Sequence, residues 1–316
     1  MELSITTSIL VFVLGVALVL FSSEKLVEAT VGTSRNLGIS TFAISVIFIG
    51  FDAENLAVGA AASADKITGI ALGTIFGSAM VAITLAFGIT ALITPMKFKK
   101  VATDILLIPV AALLFIFILS LDGMLSRVDG LLLLGGYMAA IFYIISVPKK
   151  NIEIEPSGEL KDSLLEAEDF STMQSVGWLL FSLAGIITGS EMLVNSADYM
   201  LSYWDLSDTV YGMTVLALLI SIEELGRELP AALKGRPEIS YGNVVGSVLA
   251  FFLFNAGVIS IIQPISINQH VLTFYLPVCF VAILFTAFMM YRKRIPRWAG
   301  GLLVAIYILF FTGGFL

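Results

Sequence analysis

Gly50-Phe51-Asp52-Ala53-Glu54-Asn55 places two carboxylates and an amide in the middle of an apolar stretch running from about Ile39 to Ala64. A charge at bilayer depth costs at least ~2.5–3.5 kcal/mol on insertion scales, so such residues face a cavity, a partner or an ion. The chain repeats the arrangement once. Ser221-Ile222-Glu223-Glu224 lies inside the apolar stretch from Val210 to Leu233, with Arg227 and Glu228 one turn further on. The rest of the sequence reads as a scaffold around these two acidic interruptions.

The composition agrees. Of 316 residues, 58% are hydrophobic and only 13% are charged, far from a soluble balance. The chain therefore reads as an all-α polytopic membrane protein. Ten apolar segments are each about long enough to cross a ~30 Å hydrocarbon core: 4–22, 38–64, 68–94, 102–121, 128–147, 175–200, 209–233, 239–264, 271–291 and 297–315. The first lacks a basic leader and a small-residue cleavage site, so it is expected to be a retained span. A long polar connection, Lys149 to Met173, holds seven acids and divides the chain into residues 1–148, an acidic cytoplasmic linker 149–173, and residues 174–316. The net charge of −7 offers no footprint for nucleic acid. The single cysteine, Cys279, excludes a disulfide framework or a thiolate metal site. His270 opens a segment and reads as a solvated loop residue, and Met200 and Trp204 as lipid-facing or belt residues. No paired nucleophile and base suggests an enzyme or a bound cofactor.

Basic residues set the orientation. With the N-terminus outside and ten crossings, fourteen Lys and Arg fall at cytoplasmic ends, two fall outside, and Arg227 lies within a span. Both termini are expected to be extracytoplasmic in a cell membrane. The halves also resemble each other. Ser23-Glu24-Lys25-Leu26-Val27 is echoed by Ser190-Glu191-Met192-Leu193-Val194 at an offset of 167. Gly73-Thr74-Ile75-Phe76-Gly77-Ser78 is echoed by Gly242-Asn243-Val244-Val245-Gly246-Ser247 at an offset of 169. At that second offset Asp52 faces Ser221, Glu54 faces Glu223 and Asn55 faces Glu224. Five spans per half make the copies inverted, and inverted repeats place their site near the midplane, where interrupted helices meet. Oxygen ligands of this kind suit hard cations.

These features together resemble the cation/calcium exchanger superfamily, which includes the sodium/calcium exchangers. The resemblance covers nearly the whole chain. It implies ten transmembrane helices in two inverted five-helix repeats, cation antiport by alternating access, and the first and sixth spans as sliding gate helices. The family signature is a Gly-Thr-Ser-Leu-Pro-Glu type sequence in each repeat, followed by Gly-Asn-x-x-Gly-Ser. The second part matches well at Gly242 to Ser247 and partially at Gly73 to Ser78. The first part departs. Counting back from the serines puts the family glutamate on Asn55 and Glu224, whereas a shift of one residue puts it on Glu54 and Glu223. The family's acid or amide four residues after the helix serine is replaced by Ala82 and Phe251.

The expected cation ligands are Glu54, Asn55, Asp52, Glu223, Glu224, Ser221, Ser78, Ser247 and Asn243. A buried structural ion pair or a protonated carboxyl is the competing reading for the glutamates, and helix capping for Asp52 and Asn55. Arg227 can reach Glu223 or Glu224 on a helix, and Glu228 is expected to snorkel or pair with Arg227. The function expected is secondary-active antiport of a divalent cation (Ca2+, Mg2+ or similar) against Na+ or H+ through a central carboxylate site. The partners expected are inorganic cations and the lipid bilayer. Two rivals stay open: a transport-inactive or channel-like relative acting as an ion sensor, and a carrier of an organic cation.

Overall fold

The computed structural model describes residues 4–36, 52–98, 103–146, 172–204, 207–221, 223–233, 235 and 237–315. The chain is mostly helical. In order, the helices are α1 (Ile5–Asn36), α2 (Ala53–Ala64), α3 (Thr68–Ile93), α4 (Thr103–Leu119), α5 (Arg127–Ser146), α6 (Thr172–Trp204), α7 (208–220), α8 (Glu223–Leu233), α9 (237–262), α10 (Val271–Tyr291) and α11 (Arg297–Gly313). Among the described residues, seven helical stretches are long and apolar enough to cross a membrane, and the apolar stretches Leu106–Leu119 and Arg297–Gly313 are shorter. The linker expected at 149–173 lies outside the described residues except for Thr172 and Met173, which begin α6.

Two elements differ from the sequence reading. The first helix does not stop near residue 22 but runs 32 residues, and α6 runs 33. Between Ser23 and Asn36 there is no proline, and the one glycine, Gly32, is tolerated inside a helix at a cost of about 1 kcal/mol. At 1.5 Å per residue α1 is about 48 Å long, so it must tilt or project beyond a ~30 Å core. The two long helices pack along each other. A Cβ on Gly15 would lie 2.9 Å from the Gly189 carbonyl oxygen, so glycine permits the close approach. Their outward faces expose Leu10, Val13, Leu14, Leu180, Phe181 and Ile187, as lipid contact requires.

The centre belongs to α3 and α9, whose side chains are largely buried. Each is interrupted by π-helical turns at equivalent places, Val81–Ala86 in α3 and Ala250–Asn255 in α9. Phe76 of α3 meets Phe252 of α9 at 5.7 Å between ring centroids. Met200, expected at the lipid face, is instead buried in this core, while Trp204 is exposed. His270 is exposed as expected and stacks on Phe274 at 5.2 Å.

Two short antiparallel clasps fasten the ends of the bundle. Strand β1 (Met96–Lys97) pairs with β4 (Arg294–Ile295), and β2 (Met124–Leu125) pairs with β3 (Ile265–Ser266). The contacts around them are reciprocal. The Arg297 guanidinium donates to the Ile93 carbonyl at 3.4 Å, and the Arg127 guanidinium donates to the Ile262 carbonyl at 3.4 Å. Gly88 approaches Gly300, and Gly257 approaches Gly130. The turns leading into β4 and β2 each use one left-handed residue, Lys293 (φ 56°) and Gly123 (φ 85°). Helix α10 runs from just after β3 to just before β4, so the clasps sit at opposite ends of the bundle.

Candidate functional site

The acidic stretch around Asp52 becomes the start of a helix. Asp52 is in an extended conformation and caps α2, its Oδ1 accepting the Asn55 amide N–H at 3.0 Å. Its Oδ2 accepts the Asn55 side-chain Nδ2 at 2.7 Å. Both carboxylate oxygens are thus engaged by one residue, the capping role weighed for Asp52 above. The Asn55 oxygen accepts a hydrogen bond from Ser78 Oγ on α3. The same Nδ2 also donates to Ser221 Oγ at 3.1 Å, joining the two acidic stretches directly.

The second stretch is a break between helices. Helix α7 ends at Ile220, and Ser221 adopts φ −112° and ψ 11°, from which α8 starts at Glu223. The Glu224 N–H donates to the Ser221 carbonyl at 3.2 Å. Glu224 then points at α9: its Oε1 accepts from Ser247 Oγ at 3.0 Å, and its Oε2 from Asn243 Nδ2 at 2.6 Å. Ser78–Asn55 and Ser247–Glu224 are therefore the same contact in the two stretches. The helix serine meets Asn55 and Glu224, the pair reached by counting back from the serines.

All these polar groups are enclosed. Asp52 is 1% exposed, Glu54 2%, and Asn55, Ser78, Ser221, Glu224 and Ser247 are fully buried. Glu54 is buried on the first turn of α2, next to Asn55 in the chain. The side chains of Glu223 and Arg227 lie outside the described residues, so the expected Glu54–Glu223 convergence and the Arg227 pairing are not described.

One of the two expectations for Glu228 is corrected, while its pairing with Arg227 falls on a side chain outside the described residues. Glu228 does not snorkel; it is fully buried, with its Oε1 3.5 Å from Asn243 Nδ2 and its carbonyl accepting from Ser240 Oγ at 2.7 Å. Its counterpart in the first half is Gly59, where a Cβ would meet the Thr74 hydroxyl and the Ile259 Cδ1, so a side chain there would require both to shift. Among the described residues the second stretch thus has a buried carboxyl at a position where the first has none. The sequence reading also passed over Asn255, a fully buried residue in the π segment of α9. Its signal was its spacing, twelve after Asn243 and eight after Ser247, which keeps a four-residue step along the helix.

The arrangement offers carboxylate, carboxamide and hydroxyl oxygens inside a low-dielectric bundle, a ligand set for hard cations. Comparison with known proteins gives the family. Residues 7–146 and 174–314 match the family described as sodium/calcium exchanger protein. CaxA of Alkalimonas amylolytica is 30% identical over 269 residues, covering 80% of this chain and 81% of that protein. The sodium/calcium exchanger MaX1 of Methanosarcina acetivorans is 25% identical over 343 residues, covering 97% and 98%. The solved sodium-calcium exchanger NCX_Mj, soaked with 100 mM Na+ and 10 mM Sr2+, is similar with a TM-score of 0.62 and 25% identity, covering 97% of this chain and 98% of that one. A match extending over nearly the whole sequence shows that the chain belongs to the sodium/calcium exchanger family.

Proposed function

We propose that the protein is a secondary-active antiporter that moves a divalent cation against Na+ or H+ by alternating access. Ten spans form two inverted five-helix repeats, and both termini are extracytoplasmic. Supporting the inversion, β1 and β3 occupy corresponding places in the two halves yet lie in clasps at opposite ends of the bundle. Supporting the orientation, the clasp taken as cytoplasmic carries four basic residues, Lys97, Arg292, Lys293 and Arg294, while the other carries one, Arg127, beside Asp122 and Asp129.

The observation that carries the reading is the matched pair of buried contacts, Ser78 to Asn55 and Ser247 to Glu224, bridged by Asn55 to Ser221. The transported ion is coordinated between the two interrupted helices, by Glu224, Asn55 and Glu54 with neutral oxygens from Ser78, Ser247, Ser221 and Asn243. Glu223 and Asp52 border the same place. A buried uncompensated carboxylate costs several kcal/mol. A divalent ion offsets two such charges at once, and Na+ or H+ offsets one each, so the loaded states are those that interconvert. The long pair α1 and α6 slides across this core, an assignment taken from the family resemblance.

The test is flux. In proteoliposomes an outward Na+ or proton gradient should drive divalent uptake, and Glu224→Gln should cut its kcat/KM by at least about tenfold, the cost of ~1.4 kcal/mol. Full uptake by Glu224→Gln would refute the site. Absence of gradient-driven uptake by the unaltered protein would refute antiport.

A further inference from the structure

Asn243, Ser247, Phe251, Asn255 and Ile259 follow one another at steps of four along α9. Between Ala250 and Asn255 the helix is π-helical, and its wider turn keeps residues four apart closely in line. The two ends of this row are fixed by contacts. Asn243 and Ser247 hydrogen-bond Glu224 at the start of α8. At the other end the Ile259 Cδ1 lies 2.5 Å from where a Cβ on Gly59 of α2 would be. The Ser63 hydroxyl of α2 donates to the Ile259 and Gln263 carbonyls at 3.4 and 3.1 Å.

Helices α2 and α9 therefore run in the same direction, with Gly59 beside Ile259 and Ser63 beside Ile259 and Gln263. One turn back from Gly59 is Asn55, and one turn back from Ile259 is Asn255. The row places Asn255 level with Asn55, between the contacts to Glu224 and the contacts to Gly59 and Ser63 of α2. The Asn55 amide nitrogen donates to Asp52 and Ser221, and its oxygen accepts one hydrogen bond, from Ser78. Asn255 is fully buried, and neither its Oδ1 nor its Nδ2 has a hydrogen-bond partner. A buried carboxamide with neither atom satisfied is rare and signals a site filled by something other than protein. Its counterpart in the first half is Ala86, so packing in the equivalent place needs no amide.

We propose that Asn255 is a cation ligand. Its carboxamide oxygen forms, with the first turn of α2, a second hard-cation seat further along α9 than the residues that hold Glu224. The occupant is Na+ or a divalent ion, since a neutral amide oxygen suits either. The inference rests on the antiporter reading above and adds a residue and a seat to it.

The experiment is thermal unfolding of the purified full-length protein in a choline buffer, titrated separately with Na+ and with Ca2+. The unaltered protein should be stabilised by both ions. Asn255→Leu, which removes the unsatisfied amide at similar volume, should unfold at an equal or higher temperature without ions. For one ion its half-saturating concentration should rise by about tenfold or more. A loss confined to Na+ assigns the seat to Na+, and a loss confined to Ca2+ assigns it to the divalent ion. A merely structural Asn255 would leave both titrations unchanged, and that result overturns the proposal. If Asn255→Leu does not fold, Asn255→Asp serves: its half-saturating Ca2+ should fall by about tenfold relative to Na+, and an unchanged ratio overturns the proposal. No stabilisation of the unaltered protein by either ion strikes the antiporter reading itself, whereas normal stabilisation with an indifferent Asn255 variant strikes only the second seat.

Discussion

Ser78 and Ser247 occupy corresponding positions but hold different partners, a carboxamide in one case and a carboxylate in the other. Hydrogen bonds to charged groups contribute about 1.5–3 kcal/mol and neutral ones about 0.5–1.5. Ser247→Ala should therefore lower stability by about 2 kcal/mol and Ser78→Ala by about 1, read from denaturant unfolding in detergent. Equal losses would mean that the two serine contacts contribute alike despite their different partners. Sequence alone shows why these residues stand out, because an acid within an apolar run has few bland explanations. It does not show which of two adjacent glutamates meets the serine. Neighbouring residues on a helix point about 100° apart, and the direction is set by the backbone at Ser221, where the helix breaks. Asn255 was hidden for a related reason. Its surroundings, Phe251-Phe252-Leu253-Phe254, read as plain core until the π turn fixes which face it shares with Ser247.

At the scale of elements, glycine sets how closely the buried helices approach. Gly73 of α3 lies directly against the Gly212 backbone of α7, where a Cβ would collide with the Gly212 carbonyl group. Because the obstacle is backbone, relief requires the helices to separate. Gly73→Ala is expected to cost about 1–3 kcal/mol, the usual range for overpacking, seen as a lower unfolding temperature with secondary structure retained by circular dichroism. An unaltered unfolding temperature would show that α3 and α7 yield readily. Most element positions were legible, since hydropathy over some twenty residues reports crossing length directly. The ends of α1 and α6 were not. Ser23-Glu24-Lys25 reads as an exit from the membrane, yet polarity does not terminate a helix without proline, glycine or a cap to satisfy its last carbonyls. The start of α2 was legible in outline, because Asp52 is a residue type that starts helices.

For the whole molecule, the reciprocal contacts matter more than any single one. Helix α3 packs on α11 and α9 packs on α5, so every one of these buried faces is completed by the other half. Each clasp likewise takes one strand from each side of the linker. This has a consequence for a severed chain. Residues 1–148 and 174–316 made as separate polypeptides should each be degraded when expressed alone, since each would carry unmated helices into the lipid. Expressed together they should copurify through a tag on one fragment and recover divalent uptake. Copurification failing while both fragments persist would show that the continuous linker is needed for assembly. The two clasps would then act as a mutual key, so that each piece folds only by finding its complement.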